Sequence, residues 1–503
     1  MASNTGVVDN ETIRLIDSIL KNKGKKTPDS ETKRIKKLYN LAVRSKKTNP
    51  LIKLFEELLR IKSDGRDCSS IGISKDDLLN LSKLHSKIDE YGVTVSARLS
   101  ARKDVMKAVS RIEPYLKHKK DVLSGIELGK KISKNQEKIM RYFSSDGSDW
   151  KSFSWQMKNR INDAITLGNI LDLPKKKIKE IGEVQRKYRM SITPYYASLI
   201  MKENPHDPVL IQSVPDIKEV RNQGQCVSSF SARHSPARIV DQIYPQTAII
   251  KVSNVCAMYC RHCLRVHDIG FKDKYWSDET FEEAFEYVRD NKNIRDLLLT
   301  GGDMLSLSNK RIDWILGKLT SIEHVKTLRL GTRMVVTVPQ RIDNNLLSVL
   351  RKYNKKKPIR MPVQINCAQE ITEDSMKVLH DISDIGVKLM CQSVFLKGVN
   401  DSEVKMWKLL ETLQEAKVRP YYLFNCSFRD TQFKHLRVPI EVGRRIIRGT
   451  IANLSGDIRP TYIATAEGKI PLHEDYLIKE KGKNLVLKRP WNGELVEYPD
   501  AEK

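Results

Sequence analysis

The 503-residue chain lacks several features that would place it outside the compartment of ordinary globular proteins. No uncharged apolar run approaches the roughly 18 residues a membrane helix needs, so no membrane span is expected. The opening Met-Ala-Ser-Asn-Thr-Gly carries no basic-then-apolar segment, so no secretory signal is expected there. Cysteine is scarce: eight residues, three of them inside one eight-residue stretch and none after Cys426, which is no secreted disulfide framework. Aromatics make up only 7% of the chain and are thin in its first 145 residues, which argues against a base-stacking surface there. Basic charge is not scarce. Lys and Arg outnumber Asp and Glu by 89 to 62, a formal charge of +27. That excess fits either a polyanion partner or solvated lysine in a lysine-rich proteome, and the second reading is favoured.

The length calls for two or three domains. Residues 1–145 read as a basic helical extension. Ile13–Leu20, Ile35–Val43, Leu51–Ile61 and Leu78–Ile88 repeat apolar residues at the spacing of one buried helix face. Ser74 and Asp77 form a capping-box start for the last of these. Ser144-Ser145-Asp146-Gly147-Ser148 marks a linker. Residues 146–246 form a helical and loop-rich region, with 205–245 extended. From 247 to 465, β-rich runs alternate with helical ones. The strands expected are Ala248–Val252, Asp296–Leu299, Thr327–Leu330, Met361–Asn366, Lys388–Ser393, Arg419–Phe424 and Tyr462–Thr465. The helices between them are Asp278–Asp290, Arg311–Leu319, Asn345–Tyr353, Glu373–Ile385 and Ser402–Ala416. Such alternation predicts an α/β fold, a partial (βα)6 TIM-like barrel with chemistry at the carboxyl ends of its strands. Residues 466–503 form a C-terminal segment.

The eight-residue stretch is Cys256-Ala257-Met258-Tyr259-Cys260-Arg261-His262-Cys263, just past the first expected strand. Three thiolates can hold three irons of a [4Fe–4S] cluster and leave the fourth iron open. The spacing differs from that of ferredoxins, whose clusters are fully ligated. A structural zinc loop or three unrelated buried thiols are the alternatives; zinc asks for a fourth Cys or His, and His262 sits between two of the cysteines. The loop resembles that of the radical S-adenosylmethionine (radical SAM) enzymes. Cluster thiolates must stay reduced, so a cytoplasmic location is expected. Farther on, Leu299-Thr300-Gly301-Gly302-Asp303 follows a strand, where two glycines allow close backbone approach and Asp303 can pair with an ammonium. In that order after the loop it looks like the radical SAM segment that holds the methionyl amine of SAM. Arg333 and Gln392 are further candidate SAM contacts or ordinary polar groups.

The ordered set CAMYCRHC, DLLLTGGD, RLGTR…VPQRI, CQSVFLKGVND, RPYYLFNC and GKIP, with DWKSFSWQMKNRI and ITPYY upstream, resembles the lysine 2,3-aminomutase family over roughly 149–480. The resemblance implies a SAM-bound cluster on Cys256, Cys260 and Cys263, and pyridoxal 5′-phosphate (PLP) on Lys469, the match to the family's Schiff-base lysine. It also implies an arginine for the substrate carboxylate at Arg265. The implied activity moves the α-amino group of an amino acid to its β-carbon, with an electron donor such as flavodoxin or ferredoxin and a homo-oligomeric assembly. Three departures stand out. Ile243 and Thr247 occupy the places of two phosphate-binding arginines, although Tyr244 is kept, so Arg233 or Arg238 is needed in their stead or PLP binds weakly or not at all. The glycine run before the lysine is shortened to Glu467-Gly468. Ser427 and Thr465 replace two aspartates that pair with the distant ammonium of lysine, which makes lysine an unfavourable substrate; Arg429 and Lys434 lie nearby in sequence as basic partners for a carboxylate side chain. Two alternatives remain open at this point: a radical SAM enzyme without PLP, and a cluster-containing protein that binds nucleic acid or a partner through the basic extension.

Overall fold

The computed structural model describes residues 25–26, 29–44, short pieces between 53 and 67, 95–221, 234–427, 431–465, 469–472, 477–481, 484–489 and 493–499. Packing divides the chain into two units, Met1–Glu113 and Pro114–Lys503, so the expected 1–145 extension spans that division.

In the first unit the helix Asp29–Arg44 covers the expected Ile35–Val43 periodicity. It buries Ile35, as Leu54 and Leu58 are buried from the next helical stretch. The polar faces are tied by Arg34–Glu57 (2.7 Å), Arg60–Glu31 (2.6 Å) and Arg102–Glu56 (2.8 Å). These pairs are solvated and add little stability each. Helix Val95–Ser110 was not anticipated. The expected helices Ile13–Leu20 and Leu78–Ile88, with the Ser74 cap, lie outside the described residues.

The second unit is built on a nine-stranded sheet curled into a half-barrel. Its elements run β1 (Val240–Tyr244), β2 (Thr247–Ser253), α1 (Asp278–Asp290), β3 (Asp296–Gly301), α2 (Asn309–Ser321), β4 (Thr327–Leu330), α3 (Asn344–Asn354) and β5 (Ile359–Val363). They continue with α4 (Glu373–Asp384), β6 (Lys388–Phe395), α5 (Glu403–Glu415), β7 (Arg419–Asn425), α6 (Ile440–Thr450), β8 (Thr461–Thr465) and β9 (Lys469–Pro471). Strands β2 to β8 are parallel and follow chain order across the sheet; β1 and β9 close the two edges antiparallel. All seven expected strands and five expected helices are present. The sixth helix, α6, escaped notice because Gly443 interrupts its apolar face. Gly443 is there for contact: a Cβ would lie 2.5 Å from the Tyr462 ring. A separate antiparallel sheet at the C-terminus comprises β10 (Leu477–Lys481), β11 (Asn484–Lys488) and β12 (Leu495–Pro499).

Local chemistry sets these boundaries. Helices α1 to α5 each start on a side-chain cap, Ser277, Ser308, Asp343, Thr372 and Ser402 in turn, which satisfies amide groups left open in the first turn. Along the strands burial alternates. In β2, Ala248, Ile250 and Val252 are fully buried under the helices, while Thr247, Ile249 and Lys251 lie half-buried on the other face, the lumen. The same alternation puts Asp296, Leu298 and Thr300 of β3 and Thr327 and Arg329 of β4 on that face.

Residues 146–221 are helical as expected, and they pack over the cysteine loop and the turns past the carboxyl ends of the strands, against Met258, Cys367, Leu396 and Cys426. The expected linker is a tight connection instead. Asp146 caps helix Gly147–Lys151 in a capping box with Asp149, and Ser144 takes a left-handed φ of 50° at the preceding helix end. Trp150, Trp155, Phe143 and Tyr195 pack ring against ring behind it. The 205–245 stretch is less extended than expected, since Pro208–Ser213 and Lys218–Arg221 are helical. Among the described residues no helix is long and apolar enough to cross a membrane.

Candidate active site

The cysteine loop leaves the carboxyl end of β2 and is braced from several sides. Tyr259 N donates to Ser191 O (3.0 Å), Arg261 N to Gln212 O (2.9 Å) and Arg160 Nη1 to Cys256 O (2.8 Å). Asp273 gathers Arg160 (2.6 Å), Arg189 and the Tyr259 hydroxyl (3.0 Å), with Arg189 stacked 4.4 Å over the Tyr259 ring. Arg261, only 2% exposed, is forked onto Glu219, which is fully enclosed, through Nε–Oε1 at 2.9 Å and a second contact from Nη2. Residues between the cysteines thus engage the surrounding protein, and the three thiols lie near enough to act on one another electrostatically.

Cys256, Cys260 and Cys263 are half-buried and unbridged. Burial, more than their mutual repulsion, pushes the Cys256 thiol well up and the Cys263 thiol up to about 12. Such buried thiols ionise when iron supplies the compensating charge. Among the described residues no three His, Cys, Asp or Glu side chains stand so as to hold a single metal ion. A four-iron cube is larger than a single ion and does not need its three thiolates to converge on one point. The zinc alternative further needs His262. Its Nε2 is engaged by the side-chain amides of Gln364 (2.8 Å) and Asn366 (3.3 Å), and burial, then Arg333 and Arg261, hold it well below the ordinary histidine range. The ring is held neutral with Nε2 on Gln364 and Asn366, while its buried Nδ1 has no hydrogen-bond partner among the described residues. The donor set fits a three-cysteine cluster.

The Gly-Gly-Asp segment meets the base of that loop. Gly302 N donates to Ser253 O (2.7 Å) and Asp303 N to Val255 O (2.8 Å). A Cβ on Gly302 would stand 2.4 Å from Val255 O; Gly301 has φ 114° and its Cβ would stand 2.6 Å from Ser253 O. The glycines therefore let β3 press against the root of the loop. Asp303 is buried beside Cys256; burial raises its pKa against hydrogen bonds from Arg333 N (2.7 Å), Thr332 Oγ1 (2.7 Å) and Leu305 N (3.0 Å). Arg333 itself is enclosed. It donates to Cys260 Sγ (2.8 Å), Gln212 Oε1 (2.6 Å), Glu370 Oε1 (2.7 Å) and the Tyr196 hydroxyl (3.2 Å). Gln392 lies half-buried on the lumen face of β6, next to Tyr422 of β7 in the ladder.

The other two sequence candidates lie by the two edge strands of the sheet, Arg265 beside β1 and Lys469 on β9. Arg265 follows the loop and pairs with Asp241 of β1 (3.5 Å) and Asp268 (3.9 Å). Asp241 also holds Lys251 of β2 (2.9 Å). Lys469 lies on β9, and its backbone N donates to the Tyr244 hydroxyl (2.9 Å), joining the two edges of the sheet. Its Nζ stands 5.5 Å from the centroids of both Tyr244 and Tyr422. The residue is solvent-accessible, yet protein crowding around the amine lowers its pKa, helped by Arg329 and opposed by Asp296. A lysine so placed is a better nucleophile toward an aldehyde.

Sequence reasoning missed Lys251, Asp241, Arg329 and the Glu370 network. A charged residue within the apolar run of a central parallel strand, as at Lys251, is the signal that could have found the lumen face. Of the alternative phosphate donors, Arg238 is turned to Glu283 of α1 through Nε (2.5 Å) and is well exposed; Arg233 and Arg429 lie outside the described residues, and Lys434 is exposed in the 3₁₀ turn Thr431–Leu436. Ser427 is buried and Thr465 half-buried at the carboxyl ends of β7 and β8.

A curled parallel sheet with three thiols at the end of its first parallel strand is the arrangement of a radical SAM-like protein. No protein-family model matches the chain. It is 36% identical over 395 residues to a glutamate 2,3-aminomutase of Clostridioides difficile, covering 78% of this chain and 92% of that one. It is 38% identical over 375 residues to an L-lysine 2,3-aminomutase of Methanococcus maripaludis, covering 73% and 85%. A further L-lysine 2,3-aminomutase, from Clostridium subterminale, is 34% identical over 358 residues, covering 70% and 85%. The chain belongs to the lysine 2,3-aminomutase family of radical SAM isomerases.

Proposed function

We propose that this protein is a PLP-dependent radical SAM 2,3-aminomutase whose substrate is an α-amino acid other than lysine, built on a partial (βα)6 barrel. What supports the reading is three unbridged thiols just past the end of β2, with Arg265 paired to Asp241 of β1 and Lys469 bonded through its backbone to Tyr244 of the same strand. When bound, the cluster and SAM supply a 5′-deoxyadenosyl radical and PLP supplies a conjugated carrier for the migrating nitrogen.

The chain's own residues do the rest. Cys256, Cys260 and Cys263 hold the cluster, while Gly301, Gly302, Asp303 and Gln392 line the approach for SAM. The lowered pKa of Lys469 keeps a larger neutral fraction available to bind the PLP aldehyde. Arg265 offers a planar fork to the α-carboxylate and fixes which substrate face meets the radical. Ile249, Leu298 and Phe424 make the lumen wall apolar and limit water beside it. Ser427 and Thr465 carry no charge at the place where a distant ammonium would need one, which argues against lysine. An electron donor of the flavodoxin or ferredoxin type reduces the cluster, and residues 1–145 serve as an accessory helical extension rather than a nucleic-acid surface.

The test is anaerobic reconstitution with iron, sulfide and PLP, then borohydride trapping and peptide mass spectrometry. PLP is expected on Lys469, with β-isomers formed from some member of an amino-acid panel. SAM cleavage without PLP on Lys469 would instead make this a radical SAM enzyme that works without PLP.

A further inference from the structure

We infer that Arg329 is the cation that anchors the PLP phosphate, at the floor of the lumen. The inference rests on the PLP reading of Lys469. A phosphate dianion taken from water needs a fixed cation or several oriented donors. The charged lumen residues divide into two layers. Lys251 pairs in the ladder with Thr300, near the carboxyl end, and is tied with Arg265 to Asp241. Nearer the amino end, Thr247, Asp296 and Thr327 stand in register, and Ile249, Leu298 and Arg329 form the next row. Arg329 reaches back to Asp296 through Nε alone (2.5 Å). Its two terminal nitrogens make no hydrogen bond among the described residues. They belong to a side chain that is 11% exposed and acts electrostatically on both Lys469 and Tyr422.

One guanidinium thus keeps two terminal nitrogens without a hydrogen-bond partner among the described residues, near the amine that would carry the aldehyde carbon, which Tyr244 and Tyr422 flank. The Thr247 and Thr327 hydroxyls lie in the same floor and can add donors. Arg238, the other described candidate, is turned away to Glu283. Asp296 enters with the opposite sign: its carboxylate orients Arg329 but also repels a phosphate. The site is therefore a single cation shared between two anions. Removing Arg329 should weaken PLP binding, and neutralising Asp296 should strengthen it.

Pyridoxal, which has the aldehyde but no phosphate, separates this anchor from the lysine. Kd for PLP and for pyridoxal is measured by absorbance on the full-length, anaerobically reconstituted protein, with adduct formation on Lys469 verified after borohydride. Arg329→Gln is expected to raise the PLP Kd about 10- to 100-fold, the worth of charge-assisted hydrogen bonds, and to leave the pyridoxal Kd within about twofold. Asp296→Asn is expected to lower the PLP Kd several-fold and again spare pyridoxal. A wild-type preference for PLP that survives intact in Arg329→Gln overturns the inference while leaving Lys469 as the PLP residue. Should Arg329→Gln bind neither ligand, Asp296→Asn decides: an unchanged or weaker PLP preference overturns the inference. If wild-type Lys469 forms no adduct with PLP, the functional reading itself fails, a distinct result.

Discussion

Glu370→Gln is the change that tests whether the wall behind the cluster loop is as closed as it looks. Glu370 is fully enclosed and every hydrogen bond it accepts is specific. Oε1 takes Arg333 Nη2 (2.7 Å) and the Tyr196 hydroxyl (3.0 Å); Oε2 takes the backbone N of Asn366 (2.7 Å) and Cys367 (3.1 Å). A glutamine keeps the shape but turns an NH2 toward a donor on one side or the other. It also leaves the buried Arg333 without its carboxylate. Breaking one partner of a buried pair costs about 3–5 kcal/mol, roughly a hundred- to several-thousand-fold in the folding equilibrium. Urea unfolding of the cluster-free protein, followed by tryptophan fluorescence and far-ultraviolet dichroism, reads that cost as a lower midpoint. The apolar double change Arg333→Met with Glu370→Leu should recover only the charge part of it, because the Asn366 and Cys367 amides and the Tyr196 hydroxyl still lose their acceptor. A loss below about 1 kcal/mol for Glu370→Gln, the scale of an exposed pair, would mean that water reaches Arg333 and that the enclosed network is wrong. With the cluster installed, Arg333→Gln removes the donor on Cys260 Sγ, so the reduction potential should fall. An unchanged potential by redox titration would show that the contact does not survive cluster binding.

Gly302→Ala would press a methyl onto the backbone of Asn254 and Val255 at 2.4–2.7 Å, which backbone cannot yield cheaply; iron per chain after reconstitution should drop sharply, and a full iron content would show that the loop root is pliable. Asp207, enclosed at the start of helix Pro208–Ser213, is pushed up to about 6 chiefly by burial, against bonds from Gln369 and the Leu210, Met201 and Val209 amides. Between about pH 4 and pH 6 the native state holds a proton that the unfolded state has released, so stability falls as pH rises through that window, on the order of 3 kcal/mol in all. The difference in urea midpoint between pH 4.5 and pH 7 should therefore shrink in Asp207→Asn, and an unaltered difference would refute the assignment. Glu219→Gln strands Arg261 in the same way as the Arg333 network, but inside the cluster loop, and should cost both stability and iron; normal values for both would leave the fork without a structural role.

The seven parallel strands and their helices could be read in advance because the determinants are local. Apolar runs of strand length alternate with helical periods, and α1 to α5 each open on Ser, Thr or Asp. α6 was hidden because its spacing answers a partner: Gly443 makes room for Tyr462, a residue about 20 positions on, and no local pattern encodes that. The short sequence Ser144–Ser148 misled in the opposite direction. Small polar residues mark linkers, but Asp146 and Asp149 use the same composition to start a helix. Site residues divide along the same line. Three cysteines in eight positions and a Gly-Gly-Asp turn announce themselves, whereas Arg329, Lys251 and Glu370 acquire meaning only when strand register brings them to the lumen or the loop.

That division bears on how this chain departs from its relatives. The cluster loop depends on a dense set of enclosed partners, so its residues are constrained from several elements at once: Arg160 and Arg189 from the helical region, Glu219 from Lys218–Arg221, Arg333 from the turn after β4. The floor of the lumen is different. Thr247, Asp296, Thr327 and Arg329 are half-buried on the lumen face, and a change there leaves the core under the helices in place. A chain can therefore exchange phosphate and side-chain contacts at the floor while keeping the radical machinery at the carboxyl ends. Thr247 is a departure of this second kind, beside Ile243 on β1, whereas Ser427 and Thr465 change the rim at the carboxyl ends of β7 and β8; cofactor anchoring and substrate choice are therefore where this protein should differ from the aminomutases it is similar to, and the Arg329 and Asp296 variants probe the first of these more directly than any change to the cysteines.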